Sequence, residues 1–245
     1  MRGIILAAGV ASRLRPLTNT TPKCLLKVGE TTILEQTVRN LKRNGITDLI
    51  IVTGYLSEQI HVFIATRFPE LQVVYVHNPD YDTTNNIYSL WLTRDHVLGH
   101  DIILLDSDIV FDARILQLLT RSGHESCLAV RSDHTLGEEE IKVKIKPDGT
   151  IAAIGKEVPA GEAIGESIGI EQFGAAFVHE LFVILDQMIV VEKRVDIFYE
   201  AAFERAVSRG LSIVPVDVGE FRCIEIDTAE DLTLAARDVV PFLPN

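Results

Sequence analysis

A short basic loop follows the first predicted strand of this chain. Arg13, Arg15 and Lys23 lie within eleven residues of a sequence whose acidic residues outnumber its basic ones, 35 to 23. The apolar run just before them, Gly3–Ala8, has the length and composition of a buried strand. Ligands of open α/β sheets bind beyond the carboxyl ends of the strands, where fixed cations and backbone N–H groups can hold phosphate. The segment is therefore a candidate anion site, although a turn with solvated basic side chains fits the spacing equally well.

The same segment does not match the common phosphate-binding motifs. The P-loop pattern GxxxxGK[ST] is absent, and Ala11 and Leu14 stand where a GxGxxG motif requires glycine. If this segment binds phosphate, it must therefore do so through a motif other than these two.

Two further predicted strands end in pairs of carboxylates. Asp106 and Asp108 follow the run DIILL, and Glu225 and Asp227 follow a later strand. Carboxylates that meet at strand ends suit Mg²⁺, which takes a few oxygen ligands and substrate phosphates. Each acid alone is better explained as a helix cap or a solvated strand end. Together with the basic loop, however, they favour a metal site.

Other candidate ligand-binding residues have equally simple structural explanations. Thr84, Asn85 and Asn86 can cap a helix, or their polar groups can read the edge of a base. Lys156 follows a short strand and is either an exposed turn residue or a phosphate ligand. Tyr199, with the acids Glu200 and Glu225, could face a cationic group, although an aromatic at helical spacing is usually part of the core.

The elements that must position these residues alternate between strand and helix patterns. We expect strands at 3–8, 48–53, 72–77 and 101–105, and helices at 31–44, 57–67 (capped by Ser57) and 86–96. Beyond residue 125 we expect strands at 125–131, 142–146, 151–154, 174–178, 212–217 and 223–226, and helices at 179–190, 196–208 and from Thr228. This order predicts an α/β fold with a Rossmann-like, doubly wound mixed sheet. We expect a single domain over 1–245, with a nucleotide-type α/β half (about 1–122) and a mixed half (about 123–245) that completes the sheet and closes a pocket.

Composition restricts the class of protein. Hydrophobic residues make up 47% and charged residues 24%, which excludes a disordered, collagen-like or coiled-coil chain. A net charge of −12 makes nucleic acid and anionic membranes poor partners. Three dispersed cysteines lack metal-binding spacing, which predicts reduced thiols. Without an apolar run of membrane-spanning length, we expect no membrane insertion and a cytoplasmic location.

The loop pattern LAAGxxxRLxPLTxxxPKxLLxV resembles the N-terminal signature of the sugar-phosphate nucleotidyltransferase superfamily. The resemblance implies a GT-A-like fold and a bound nucleoside triphosphate. Ala11 stands where many members have glycine. The residues that the resemblance assigns to the nucleotide are Leu6, Ala8, Gly9, Ser12, Arg13, Lys23, Asn78, Thr84 and Asn85, with Arg13 on the phosphates and Lys23 near the α-phosphate.

The resemblance also implies a metal and an acceptor site. It selects Asp108 and Asp227 as the ligands of Mg²⁺, with Asp106 and Glu225 as outer support. It assigns Lys156 to the acceptor's phosphate and places the loop ESIGI, 166–170, over the acceptor pocket. The implied catalytic residues are Arg13, Lys23 and Lys156, and the acceptor residues are Asn86, Lys156, Glu166, Tyr199 and Glu225.

The segment TNNIYSL resembles the branch of cytidylyltransferases that use phosphocholine, aminoethylphosphonate or inositol phosphate. The expected reaction joins CTP, or another nucleoside triphosphate, to a small phosphorylated or phosphonate acceptor and releases pyrophosphate. The alternatives are a hexose-1-phosphate nucleotidyltransferase, a glycosyltransferase that holds a metal through Asp106–Ser107–Asp108, and a regulatory module that binds a nucleotide without turnover. A homodimer is possible on this sequence.

Overall fold

A computed structural model describes residues 1–243, which form an α/β fold around a nine-stranded mixed sheet. In chain order the strands are β1 Arg2–Ala7, β2 Lys27–Val28, β3 Thr31–Thr32, β4 Asp48–Thr53, β5 Gln72–His77, β6 Ile102–Asp106, β7 Ile109–Phe111, β8 Cys127–Arg131, β9 Lys142–Ile145, β10 Ile151–Gly155, β11 Gly165–Phe173, β12 Val214–Asp217 and β13 Cys223–Glu225. The α-helices are α1 Ile33–Arg43, α2 Ser57–Arg67, α3 Asn86–Trp91, α4 Arg94–Val97, α5 Arg114–Arg121, α6 Ala175–Asp186, α7 Glu200–Ser208 and α8 Ala229–Leu234.

The first half of the chain forms the parallel part of the sheet, in the order β5-β4-β1-β6. Strand β11 then pairs antiparallel with β6, and both β8 and β9 pair with β11. The expected doubly wound mixed sheet is confirmed. Because β1 lies between β4 and β6, the loop that follows β1 emerges at the centre of the sheet.

The sheet is buried on both faces because successive side chains of a strand point in opposite directions. Ile4 and Leu6 of β1 belong to one apolar core, and Ile5 and Ala7 belong to the core on the other face. The continuous apolar runs of the first four predicted strands reflect this two-sided burial. The three cysteines are buried and unpaired, as their spacing predicted.

The predicted elements lack α5 and are wrong near residue 174. The expected strand at 174–178 is wrong, because β11 ends at Phe173 and α6 begins at Ala175. Phe177, Val178 and Leu181 are buried at helical spacing, and Phe177 stacks on Phe173 at a ring distance of 4.6 Å. A short apolar run fits either element, and its packing against β11 decided between them.

Three smaller expectations also change. The helix predicted at 86–96 divides into α3 and α4, and Ser57 is the first residue of α2 rather than its cap, which is Leu56 in a left-handed conformation. The segment 166–170, expected as a loop over the acceptor pocket, belongs to β11, although the strand is irregular between Ser167 and Glu171. Thr228 caps α8 with a capping box, as expected.

Candidate active site

A cavity of about 620 Å³ opens where β1 and β6 end. It is of the size that small-molecule sites usually have. Its lining includes Leu6, Ala8, Gly9, Ser12, Arg13, Lys23, Asn78, Thr84, Asn85, Asn86, Asp108, Lys156, Glu166, Glu225 and Asp227. The structure thus brings together every residue assigned to a site from the sequence except Tyr199.

The basic loop reaches the cavity as a series of tight turns. Two short 3₁₀ turns place Arg13 and Lys23, and the hydroxyl of the buried Thr18 donates to the carbonyl oxygen of Ala11 at 2.9 Å. Ala11 has φ = 51° and ψ = 55°, a left-handed conformation that favours glycine. The turn therefore explains why glycine is common at this position in the superfamily that the loop resembles.

Lys23 lies between two carboxylates at the base of the loop. Its Nζ donates to Asp108 Oδ2 and to Asp227 Oδ1, both at 2.7 Å, and only 12% of the lysine side chain is exposed. Burial alone would lower the pKa of Lys23, but the charge of Asp108 and the hydrogen bonds of both acids outweigh it and raise the pKa above its usual value. Arg13 Nη1 lies 3.2 Å from Asp227 Oδ2, although most of its side chain is exposed.

The acids around Lys23 form a set of oxygen ligands that fits a divalent cation. Asp108, Glu225 and Asp227 each offer a carboxylate oxygen, and these oxygens lie within 4.8 Å of one another. Asp108 Oδ1 is buried and has no hydrogen-bond partner among residues 1–243. Carboxylates with an unused oxygen suit Mg²⁺, so the residues present fit the predicted metal.

One of the two acids predicted as outer support, Glu225, belongs to the group itself. Glu225 stands with Asp108 and Asp227 rather than behind them, and burial followed by the charges of these two acids raises its pKa to about 8. Asp106, the other acid predicted as outer support, is not in the group, and its Oδ2 accepts a hydrogen bond from the hydroxyl of Tyr199 at 2.9 Å. Asp106 and Asp108, two residues apart at the end of β6, therefore have different partners.

Lys156 also lines the cavity and directly follows β10. Its Nζ is 2.8 Å from Glu139 Oε2 and 5.2 Å from the centre of the Phe198 ring. Glu166, also predicted to bind the acceptor, has its Oε2 3.1 Å from His134 Nε2. Both predicted acceptor residues thus line the cavity with identified partners.

Asn78 and the two asparagines of the TNN turn, Asn85 and Asn86, form hydrogen bonds within the protein. Asn78 donates to the hydroxyls of Thr84 and Ser89, both at 3.1 Å. Asn85 caps α3, with its Oδ1 accepting from the backbone N–H of Asn86. Asn86 Oδ1 accepts from the backbone N–H of Tyr199 at 2.9 Å. The capping interpretation of the turn is therefore correct, and Asn86 also fixes the start of α7.

The prediction that Tyr199 faces a ligand is wrong. The residue is fully buried, does not line the cavity and packs against Phe203 at a ring distance of 5.0 Å. Its hydroxyl donates a hydrogen bond to the Asp106 carboxylate. As the residue before α7, Tyr199 points into the core, which leaves its neighbour Glu200 to line the cavity.

Sequence reasoning missed three residues that shape the site. Glu139 pairs with Lys156, His134 lies beside Glu166, and Phe198 lies beneath the Lys156 ammonium. Glu139 and His134 come from a polar segment that has no strand or helix pattern. No sequence signal indicated that this segment folds back over the cavity.

The single α/β domain with a mixed central sheet has the architecture of the nucleotidyltransferases. Its residues 2–131 match the model of the nucleotidyl transferase family, and the chain belongs to that family. Within residues 1–243, no helix combines the length and apolar composition that crossing a membrane requires.

Three similar proteins describe the relationship further. A choline-phosphate cytidylyltransferase of Streptococcus pneumoniae is 38% identical over 51% of this chain and 53% of that protein, so the chain spans about half the length of this relative. A 2-aminoethylphosphonate cytidylyltransferase of Lancefieldella rimae is 29% identical over 94% of this chain and 89% of that protein. The solved structure of a CTP:phosphocholine cytidylyltransferase from Streptococcus pneumoniae superposes with a TM-score of 0.77, at 25% identity, and covers 96% of this chain and 97% of that one.

Proposed function

We propose that this protein is a magnesium-dependent cytidylyltransferase that joins CTP to a small phosphorylated or phosphonate acceptor and releases pyrophosphate. The observation that carries the proposal is Lys23, which is hydrogen-bonded to Asp108 and Asp227 in a cavity that Arg13 and Lys156 also line. CTP and the acceptor are both anions and repel each other. Cationic side chains and a metal ion held by carboxylates in one cavity would neutralise this repulsion. The preference for CTP rests on the relatives above, which are cytidylyltransferases by name.

In the proposed reaction, an oxygen of the acceptor's phosphate or phosphonate attacks the α-phosphorus of CTP. The new P–O bond forms as the bond between the α-phosphorus and the oxygen bridging to the β-phosphorus breaks, and pyrophosphate leaves with that electron pair. The acceptor oxygen is already anionic at neutral pH, so no residue has to remove a proton. Catalysis then depends on positioning and on neutralising charge.

Each cationic residue has a separate part in this reaction. Lys156 holds the acceptor's phosphate against its repulsion by CTP, and Arg13 binds the triphosphate from the open side of the cavity. Lys23 exchanges its carboxylate partners for oxygens near the α-phosphorus. Asp108, Asp227 and Glu225 would hold Mg²⁺, which supplies positive charge to the reacting phosphates when it is bound.

A two-way panel tests the proposal. The purified protein is incubated with Mg²⁺, one of CTP, UTP, dTTP or ATP, and one of phosphocholine, phosphoethanolamine, aminoethylphosphonate, inositol phosphate or glucose 1-phosphate, and pyrophosphate release is measured. We expect CTP with an amino- or choline-type acceptor to give the highest rate. Turnover of glucose 1-phosphate would instead identify a hexose-1-phosphate nucleotidyltransferase. Transfer from a nucleotide sugar, without pyrophosphate, would identify a glycosyltransferase.

Asp108→Asn is the matched variant for this panel. It removes one charge from the candidate metal site and keeps the size of the side chain. We expect it to lower kcat/KM by at least about 10²-fold, the usual cost of losing one preorganised charge. An unchanged kcat/KM in a folded variant would exclude Asp108 from the mechanism.

A further inference from the structure

The cavity holds more negative charge than its proposed metal site requires. Its lining contains eight carboxylates and three basic side chains. Most of these acids have identified partners: Asp108 and Asp227 bind Lys23, Glu139 binds Lys156, and Glu166 lies beside His134. An acceptor that also carries a positive charge would therefore meet more favourable electrostatics in this cavity than one that carries only negative charge.

One lining carboxylate outside the candidate metal site has an unused buried oxygen. Glu200 is 6% exposed, and its Oε2 has no hydrogen-bond partner among the described residues. Burying a carboxylate oxygen without a partner is unfavourable in free energy, because the oxygen loses its hydrogen bonds to water and forms none within the protein. Burial raises the pKa of Glu200 to about 7, which is the physical sign of this cost.

Glu200 is also held firmly in place. It is the first residue of α7, and the residue before it is anchored twice, by the backbone N–H of Tyr199 on Asn86 Oδ1 and by the tyrosine hydroxyl on Asp106. The carboxylate therefore has a fixed backbone and a cavity in front of it. These are the conditions for recognising a ligand group by a directed hydrogen bond.

The nature of that group follows from what surrounds the cavity. A quaternary ammonium has no N–H and is usually recognised by aromatic faces. Among residues 1–243 the aromatic side chains that line the cavity are Tyr81 and Phe198, and the Phe198 ring already lies beside the Lys156 ammonium. A primary ammonium, in contrast, donates up to three hydrogen bonds and satisfies a bare carboxylate oxygen.

We infer that the acceptor carries a primary ammonium group at the end opposite its phosphate or phosphonate, and that Glu200 selects it by a direct hydrogen bond from N–H to Oε2. This inference rests on the proposed function. Lys156 and Glu200 both line the cavity, and they are close enough for the charge of Lys156 to act on the Glu200 carboxyl, so one short zwitterionic acceptor could contact both residues.

The test uses acceptors that differ only at the nitrogen. Phosphoethanolamine, phosphocholine and n-propyl phosphate present a primary ammonium, a quaternary ammonium and a methyl group on the same two-carbon spacer. With CTP and Mg²⁺, we expect kcat/KM for phosphoethanolamine to exceed that of each of the others by about 10- to 100-fold, the effect of one hydrogen bond to a charged group. Equal or better turnover of phosphocholine would overturn the inference.

Two variants assign the selectivity to Glu200. Glu200→Gln should lower kcat/KM for phosphoethanolamine by about 10- to 100-fold and leave that for n-propyl phosphate within about threefold, since only the charged hydrogen bond is lost. Glu204→Gln, an exposed position on the same helix, is the matched control and should retain the full preference. Retained preference in Glu200→Gln, in a variant that still unfolds cooperatively, would remove Glu200 from the selection.

Binding measurements separate this inference from the proposed function. If no acceptor gives pyrophosphate from CTP, the proposed function fails, and calorimetric titration of the unmodified protein with the same three acceptors still measures the preference. Tighter binding of phosphoethanolamine than of n-propyl phosphate would support the ammonium site on its own. Equal dissociation constants would refute it.

Discussion

Replacing Lys23 with methionine should make the protein bind a divalent cation more tightly while it loses activity. In the structure the Lys23 ammonium occupies the position between Asp108 and Asp227 that a metal ion would need. A metal ion can bind these carboxylates only after Lys23 has given up its hydrogen bonds to them. Lys23→Met keeps most of the buried side-chain length and removes the competing charge.

The size of the effect follows from the contacts that must be broken. Each hydrogen bond between charged groups contributes about 1.5–3 kcal/mol, so the two bonds of Lys23 contribute about 3–6 kcal/mol. A released lysine regains about 2 kcal/mol of side-chain entropy. The net cost of displacing it is therefore about 1–4 kcal/mol, which corresponds to about 5- to 1000-fold weaker metal binding in the parent protein.

Titration with Mn²⁺, followed by the electron paramagnetic resonance signal of the free ion, measures this affinity without nucleotide or turnover. We expect Lys23→Met to bind Mn²⁺ at least about 5-fold more tightly and to lose at least about 10²-fold in kcat/KM. Lys27→Met, at an exposed position in β2, should change neither quantity and serves as the control. Affinity for Mn²⁺ that is equal or lower in Lys23→Met would refute the competition between lysine and metal.

Three further results are expected. Lys156→Ala should raise the KM for the acceptor and leave the KM for CTP unchanged in steady-state assays; a change in the CTP value alone would mean that the two phosphate sites are reversed. Ala11→Gly should leave the thermal midpoint unchanged or slightly higher, because the relief of about 1 kcal/mol at φ = 51° offsets glycine's extra chain entropy, and a clear fall would contradict the strain assigned to this turn. Glu200→Gln should be more stable than the parent at pH 8 but not at pH 4. The folded-state pKa is raised from 4.5 to about 7, so the free energy of unfolding falls by about 3 kcal/mol as the pH rises between these values. Thermal unfolding at both pH values measures this, and equal midpoints of variant and parent at pH 8 would contradict it.

Local patterns were sufficient for the parallel half of the fold. The strands at 48–53 and 72–77 have the predicted bounds, because their apolar runs are short and flanked by clear helix and turn signals. The second half was less predictable. At residues 174–178 an apolar run fitted a strand as well as a helix, and its packing on Phe173 decided the outcome.

The candidate site shows the same division. The basic loop and the acidic strand ends were recognisable in the sequence, because their residue types and their places after strands depend on a few neighbouring positions. Tyr199 and Glu200 are adjacent, and the sequence grouped both residues as candidates to face a cationic group. The structure buries Tyr199 against Asp106 and exposes Glu200 to the cavity instead.

The sequence by itself therefore determined the class of fold, the superfamily it resembles and the candidate residues for binding phosphate and metal. Only the tertiary structure decided which partners these residues have: Lys23 between two carboxylates, Glu225 beside them, and Glu200 with a bare oxygen. The physical reason is that residue type and local pattern are properties of short segments. Charge pairing and burial depend on contacts between segments as far apart as the 204 positions that separate Lys23 from Asp227.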